Sequence, residues 1–224
     1  MTQARVLVAA AVLLGALYLA GAVALGTPPN VTDSPERIAA WFLDNRDAAR
    51  LYAWTAAFAT VAVAILAAII RGLLPAPHRD VFLLGAAAFV IETAVQAWFW
   101  GGIARDPASL DPATVRLGFS VLSFWGPILT GATMAMIGAV TVLGLRAQPA
   151  IPRWLTILGA IAFLEQAIET ITVFGTSGFT APGGAMNLRL GALVTLVWIV
   201  GLVVWAAGEL RERARPAQDP APAA

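Results

Sequence analysis

Residues 81–103 read VFLLGAAAFVIETAVQAWFWGGI, an apolar run with a single acid, Glu92, near its centre. A bilayer presents about 30 Å of hydrocarbon, which roughly 20 helical residues cross. The run is therefore a transmembrane helix, with Arg79 and Arg105 marking the return to water. Working outward, six spans are expected, at residues 5–26, 50–71, 79–103, 116–146, 153–175 and 189–211. The expected fold is all-α: a polytopic membrane protein whose six helices form one domain over residues 1–211, arranged as three helical hairpins (spans 1–2, 3–4 and 5–6). Span one starts like a signal peptide. It runs on to Gly26 without a small-residue cleavage site, so it is read as a true span.

Composition agrees with this class. The 224 residues are 59% hydrophobic and only 12% charged, with a mean hydropathy of +0.80, too few charges to coat a soluble domain. The absence of cysteine excludes disulfides, thiol catalysis and thiolate-held metals, and one histidine, His78, leaves no histidine-rich metal or triad chemistry. All 14 basic residues are arginine, so lysine Schiff bases are excluded. No metal and no cofactor are expected. A net charge of +1 points away from nucleic acid, and nothing in the chain specifies an oligomeric state.

Arginine placement sets an expected orientation. With both termini cytoplasmic, Arg5, Arg71, Arg79, Arg146, Arg153, Arg211, Arg213 and Arg215 lie inside, against Arg37, Arg46, Arg50, Arg105, Arg116 and Arg189 outside, a moderate positive-inside bias. The expected location is the plasma membrane. Residues 212–224, rich in arginine, proline, alanine and acids, read as a disordered cytoplasmic tail. Outside, Ser34 and Pro35 start a short interfacial helix over residues 35–45, with Ile38, Trp41 and Phe42 on one face. An amphipathic cover for the helix ends is favoured over a gating lid. Span four carries Trp125-Gly126-Pro127 in its interior and should be kinked there, because proline removes an N–H and crowds the preceding turn.

The chain also carries a candidate internal repeat. Arg5, Arg79 and Arg153 open the odd spans at a constant offset, and Arg50-Leu51, Arg116-Leu117 and Arg189-Leu190 open the even ones. Inside spans three and five, Ile91–Gln96 can be laid on Leu164–Glu169, which pairs Glu92 with Glu165 and Gln96 with Glu169; Tyr18 takes the place of the first acid in span one. Both Glu92 and Glu165 fall roughly 20 Å along their helices from the opening arginine, near the midplane.

A carboxylate at that depth costs about 2.5–3.5 kcal/mol even on lenient scales and is a functional candidate by default. Glu92, Glu165 and Glu169 are accordingly the candidate acid/base or cation residues, and Glu165 and Glu169, one turn apart, are not expected to be ionised together. Gln96, Gln166, Thr130, Thr172 and Tyr18 could line the same cavity, with Trp98 and Trp125 as aromatic walls for a cation. Trp54, Trp154 and Trp205 fit an interfacial belt.

Three functions remain open. A carrier or receptor would bind a lipophilic or cationic small molecule at the buried acids and could couple it to protons. An acid–base cyclase or isomerase would protonate an isoprenoid or other lipophilic substrate, a chemistry similar to that of small membrane terpenoid cyclases by functional analogy alone. A structural protein would use the acids as interhelical glue. The partners expected are the bilayer and, for the first two, a small molecule.

The layout resembles an uncharacterised group of small six-span bacterial membrane proteins common in actinobacteria. The likeness rests on Leu17–Gly21 (LYLAG), Pro35–Ala39 (PERIA) and Ile151–Leu155 (IPRWL) followed by Gly159. It implies a six-span fold and no particular activity, and the intramembrane glutamates are not part of it.

Overall fold

The computed structural model describes residues 2–146 and 151–215, and every regular element in them is helical. The eight α-helices are α1 (Gln3–Leu25), α2 (Pro35–Asp44), α3 (Arg46–Arg71), α4 (His78–Arg105), α5 (Pro112–Ser123), α6 (Trp125–Gly144), α7 (Arg153–Glu169) and α8 (Ala192–Arg213). Six continuous or nearly continuous helical stretches are long and apolar enough to cross a membrane: Gln3–Leu25, Arg46–Arg71, His78–Arg105, Pro112–Gly144, Arg153–Phe174 and Met186–Arg213. Their outer faces are apolar. Leu84, Val23 and Trp98 are all more than 70% exposed, a surface that suits hydrocarbon and would be a liability in water.

Each span packs on its neighbours in chain order: α1 on α3, α3 on α4, α4 on α6, α6 on α7 and α7 on α8, and α8 returns to α1. The result is a closed ring. Packing across α3 and α4 or α6 and α7 is as extensive as within the expected hairpins, so the ring does not divide into three separate units. Its centre at the terminal end is filled by a core that includes Leu7, Phe82, Ile137, Leu155 and Trp198. Trp205, expected in the interfacial belt, lies in this core; Trp54 and Trp154 are half exposed.

Span four breaks where proline predicts. α5 ends at Ser123 and α6 begins at Trp125, because Pro127 cannot donate to the Ser123 carbonyl one turn back. The Ser123 hydroxyl donates instead to the Phe119 carbonyl at 2.7 Å, a back-bond of the kind that bends helices. Other spans also differ from expectation at their ends: spans two and four each start four residues early, at Arg46 and Pro112. Span five leaves α-geometry after Glu169 and tightens into a 3-10 turn, Thr170–Phe174. Span six starts three residues early, at Met186, through a π-helical turn, Met186–Gly191. α8 runs to Arg213, two residues into the expected tail, whose residues 216–224 lie outside the described residues.

At the far end of the ring α2 closes the bundle. Ser34 accepts a hydrogen bond from the Arg37 amide and Pro35 occupies the first helical position, which starts the helix. Ile38 and Phe42, four apart, are fully buried, and Phe42 packs against Trp100 and Phe119 with ring centroids 5.4 and 6.0 Å apart. α2 is thus seated on the ends of α4 and α5, with its apolar face turned into the protein.

Beside it, Asp111 caps α5, accepting from the Thr114 amide at 3.0 Å and the Thr114 hydroxyl at 2.5 Å. Those bonds hold the Asp111 carboxyl below the usual carboxylate range. A depressed folded pKa means that this stabilisation is present above the unfolded value of about 3.9 and fades as pH falls through the folded one. Asp111→Ala should therefore melt at a lower temperature than the wild type at pH 7, and thermal melts in detergent should show the gap closing below about pH 4.

Candidate functional site

α7 turns Ala162, Gln166 and Glu169 inward, because steps of three and four residues return to one helix face. Glu169 is its last residue and is 3% exposed. The 3-10 turn that follows brings the Thr172 hydroxyl onto the Glu169 carbonyl at 2.8 Å. Opposite, the widened π-helical turn carries Asn187 toward the same point, and π-turns of this kind recur at functional sites.

Asn187 uses all of its side chain. Its Nδ2 donates to Glu169 Oε1 at 2.6 Å and to Thr172 Oγ1 at 3.1 Å, while Oδ1 accepts from the Gly183 amide at 3.1 Å. Gln166 is used as fully at its amide: Nε2 donates to Glu169 Oε2 and to Glu165 Oε2, each at 2.8 Å. Glu169 therefore accepts one amide N–H on each oxygen. Among the described residues no arginine pairs with Glu92, Glu165 or Glu169.

Two glycines make this convergence possible. A Cβ on Gly191 would overlap the Glu169 carboxyl group, and a Cβ on Gly126 would stand 2.7 Å from Asn187 Cβ and Cγ. Only hydrogen fits at either place.

The carboxylate opens on a central cavity of about 110 Å³ to which every span contributes. Its acidic end is Glu169, Gln166 and Asn187; its body is apolar, with Leu14, Val63, Phe89, Leu129, Leu196 and Ile199. Tyr18 and Trp125 also line it, together with Thr133 and Thr195. A second compartment of about 90 Å³ shares the Leu14, Tyr18, Val63, Phe89 and Trp125 wall and is bordered by Tyr52, Thr93 and Gln96. For scale, an apolar cavity of about 150 Å³ holds benzene.

The structure thus gathers Glu169, Gln166, Tyr18 and Trp125 around one cavity, with Gln96 in the adjoining compartment and Thr172 behind Asn187. Glu92 and Glu165 do not line it. Each sits one residue round the helix from the inward face, is partly buried, and keeps one buried oxygen without a partner, Oε2 and Oε1 respectively. The single midplane site with three acids becomes a site with one acid, flanked through Gln166 by a second. Thr130 stands apart, its hydroxyl spent on the Pro127 carbonyl at 2.7 Å. Trp98 is 72% exposed on the outer face of α4 and lines only a shallow groove between α4 and α5. Sequence reasoning does not single out Asn187, Tyr52 or Gly191, and takes Gly126 only as part of the span-four kink. The signal for Asn187 was a lone amide between Gly183-Gly184 and Gly191, just outside the expected start of span six.

Among the described residues no three histidine, aspartate or glutamate side chains cluster as metal ligands. Comparison with protein families, with curated proteins and with solved structures finds no match.

Proposed function

We propose that this membrane protein binds a small lipophilic organic cation at Glu169 and exchanges it for a proton. One observation carries the reading: a buried carboxyl group that accepts an amide N–H on each oxygen faces an apolar cavity inside the ring, with no arginine of the described residues paired to it. An unpaired charge in such surroundings is costly, and a bound cation offsets it. Phe89 and Trp125 supply the aromatic walls that favour such a ligand. Glu165 gives the proton a place. Its Oε2 shares the Gln166 amide with Glu169 while Oε1 is buried without a partner, so one acid of the pair can stay protonated while the other is ionised.

The size of the cavity favours this reading over an acid–base enzyme for isoprenoids. The compartments of about 110 and 90 Å³ together exceed the roughly 150 Å³ that admits benzene, so an amine of phenethylamine size drawing on both fits better than a terpenoid chain. We place both termini on the cytoplasmic side of the plasma membrane, the side favoured by arginine.

The test is carriage of trimethyl(phenethyl)ammonium, whose fixed charge prevents unassisted crossing. Proteoliposomes with an acidic interior should accumulate the labelled cation and lose internal protons, and those bearing Glu169→Gln should do neither. Failure of the wild type to bind the cation would refute the proposal. Binding without uptake would reduce it to a receptor.

A further inference from the structure

We infer that the ligand is bipolar: beyond its charged end it carries a hydrogen-bond acceptor, received by a neutral polar pole made of Thr93, Trp125, Gln96 and Tyr52. The inference rests on the cation reading above and adds the chemistry of the ligand's other end.

The two adjoining compartments differ in what they leave unspent. At the acidic end both amide hydrogens of Gln166 and both of Asn187 are already donated. At the neutral end the donors are idle. Thr93 Oγ1 and Trp125 Nε1 are buried without a partner among the described residues, and the Tyr52 hydroxyl reaches Gln96 Oε1 only at 3.4 Å, near the limit of a hydrogen bond. An indole N–H can only donate. What completes that donor is therefore an acceptor oxygen or nitrogen.

Position makes the pole part of the same site. Trp125 lines the acidic cavity and the adjoining compartment alike, so a ligand anchored at Glu169 and extended past Phe89 passes beside Trp125. Trp125 opens α6 immediately after the break at Phe124, and the residues of α4 that border the compartment, Phe89, Thr93 and Gln96, recur at helical spacing on one face. A site with buried donors discriminates against analogues that lack the matching acceptor, because those donors stay unpaired.

The test uses an isosteric pair, 4-methoxyphenethylamine and 4-ethylphenethylamine, which differ by an ether oxygen in place of a methylene. Titration of the full chain in nanodiscs should show the methoxy compound binding at least about tenfold tighter, the ratio expected from one satisfied buried donor. In Thr93→Val and in Trp125→Phe the ratio should fall toward one, and either variant serves if the other fails to fold. Glu169→Gln should weaken both amines with the ratio kept. Equal affinities in the wild type would overturn the inference. A neutral pair separates it from the cation reading: if neither amine binds, yet 4-ethylanisole is held over 1,4-diethylbenzene, the neutral pole stands and the cation reading falls. If ether and hydrocarbon bind alike in both pairs while amines still bind over their alcohols, the pole falls and the cation reading stands.

Discussion

Glu169→Gln is expected to weaken binding of phenethylamine by roughly 30- to 150-fold, the effect of about 2–3 kcal/mol for a hydrogen bond to a charged group. The reason lies in what surrounds the carboxylate. Its oxygens take one N–H each from Gln166 and Asn187, so glutamine keeps the shape and most of the bonding, with one amide turning over to present its oxygen. The lost element is the charge. Interhelical glue predicts the opposite balance, with a lowered melting temperature and unchanged ligand affinity. Glu169→Asp should recover part of the binding, since it restores the charge one methylene further back. Equilibrium binding and thermal melts on the three proteins separate the two roles.

Gly191→Val is expected to cost about 1–3 kcal/mol of stability, the range for overpacking a filled interior. Its Cβ would enter the space held by the Glu169 carboxyl group, which is fixed from both sides and cannot withdraw without losing Gln166 or Asn187. Binding should fall with stability. Gly131→Ala is the matched control: it lies in α6, and a Cβ there meets nothing within 4 Å. Replacing that glycine should stabilise the helix by up to about 1 kcal/mol, because alanine is the better helix former. Melting curves in detergent measure both. Similar losses at the two positions would mean that Gly191 matters as helix backbone and not as clearance for Glu169.

The candidate repeat falls closer to the compartments than the paired acids do. Laying Ile91–Gln96 on Leu164–Glu169 pairs Phe89 with Ala162, Thr93 with Gln166 and Gln96 with Glu169. The second and third of these pairs border the compartments, and the paired first acids, Glu92 and Glu165, are both turned aside. Position along the helix was therefore legible, and facing was not: a rise of 1.5 Å per residue fixes how far along a helix a residue lies, but which face turns inward depends on packing with neighbours. The span-four break was legible because proline acts through its own covalent structure. Asn187 was not, since it enters the membrane through a π-turn that no periodicity announces, and its value comes from Gly126, 61 positions earlier in the chain, leaving room for it. Trp98 and Trp205 show the same limit. Both are tryptophans near span ends, and only the packed ring separates the outward one from the buried one.

The most direct test of the central claim compares phenethylamine with 2-phenylethanol, which replaces the ammonium group by a hydroxyl at nearly constant shape. Wild-type protein in nanodiscs at pH 7 should hold the amine at least about 30-fold more tightly, the preference expected when an ammonium meets a desolvated carboxylate. Equal affinities, or a preference for the alcohol, would contradict the assignment of Glu169 as a cation site.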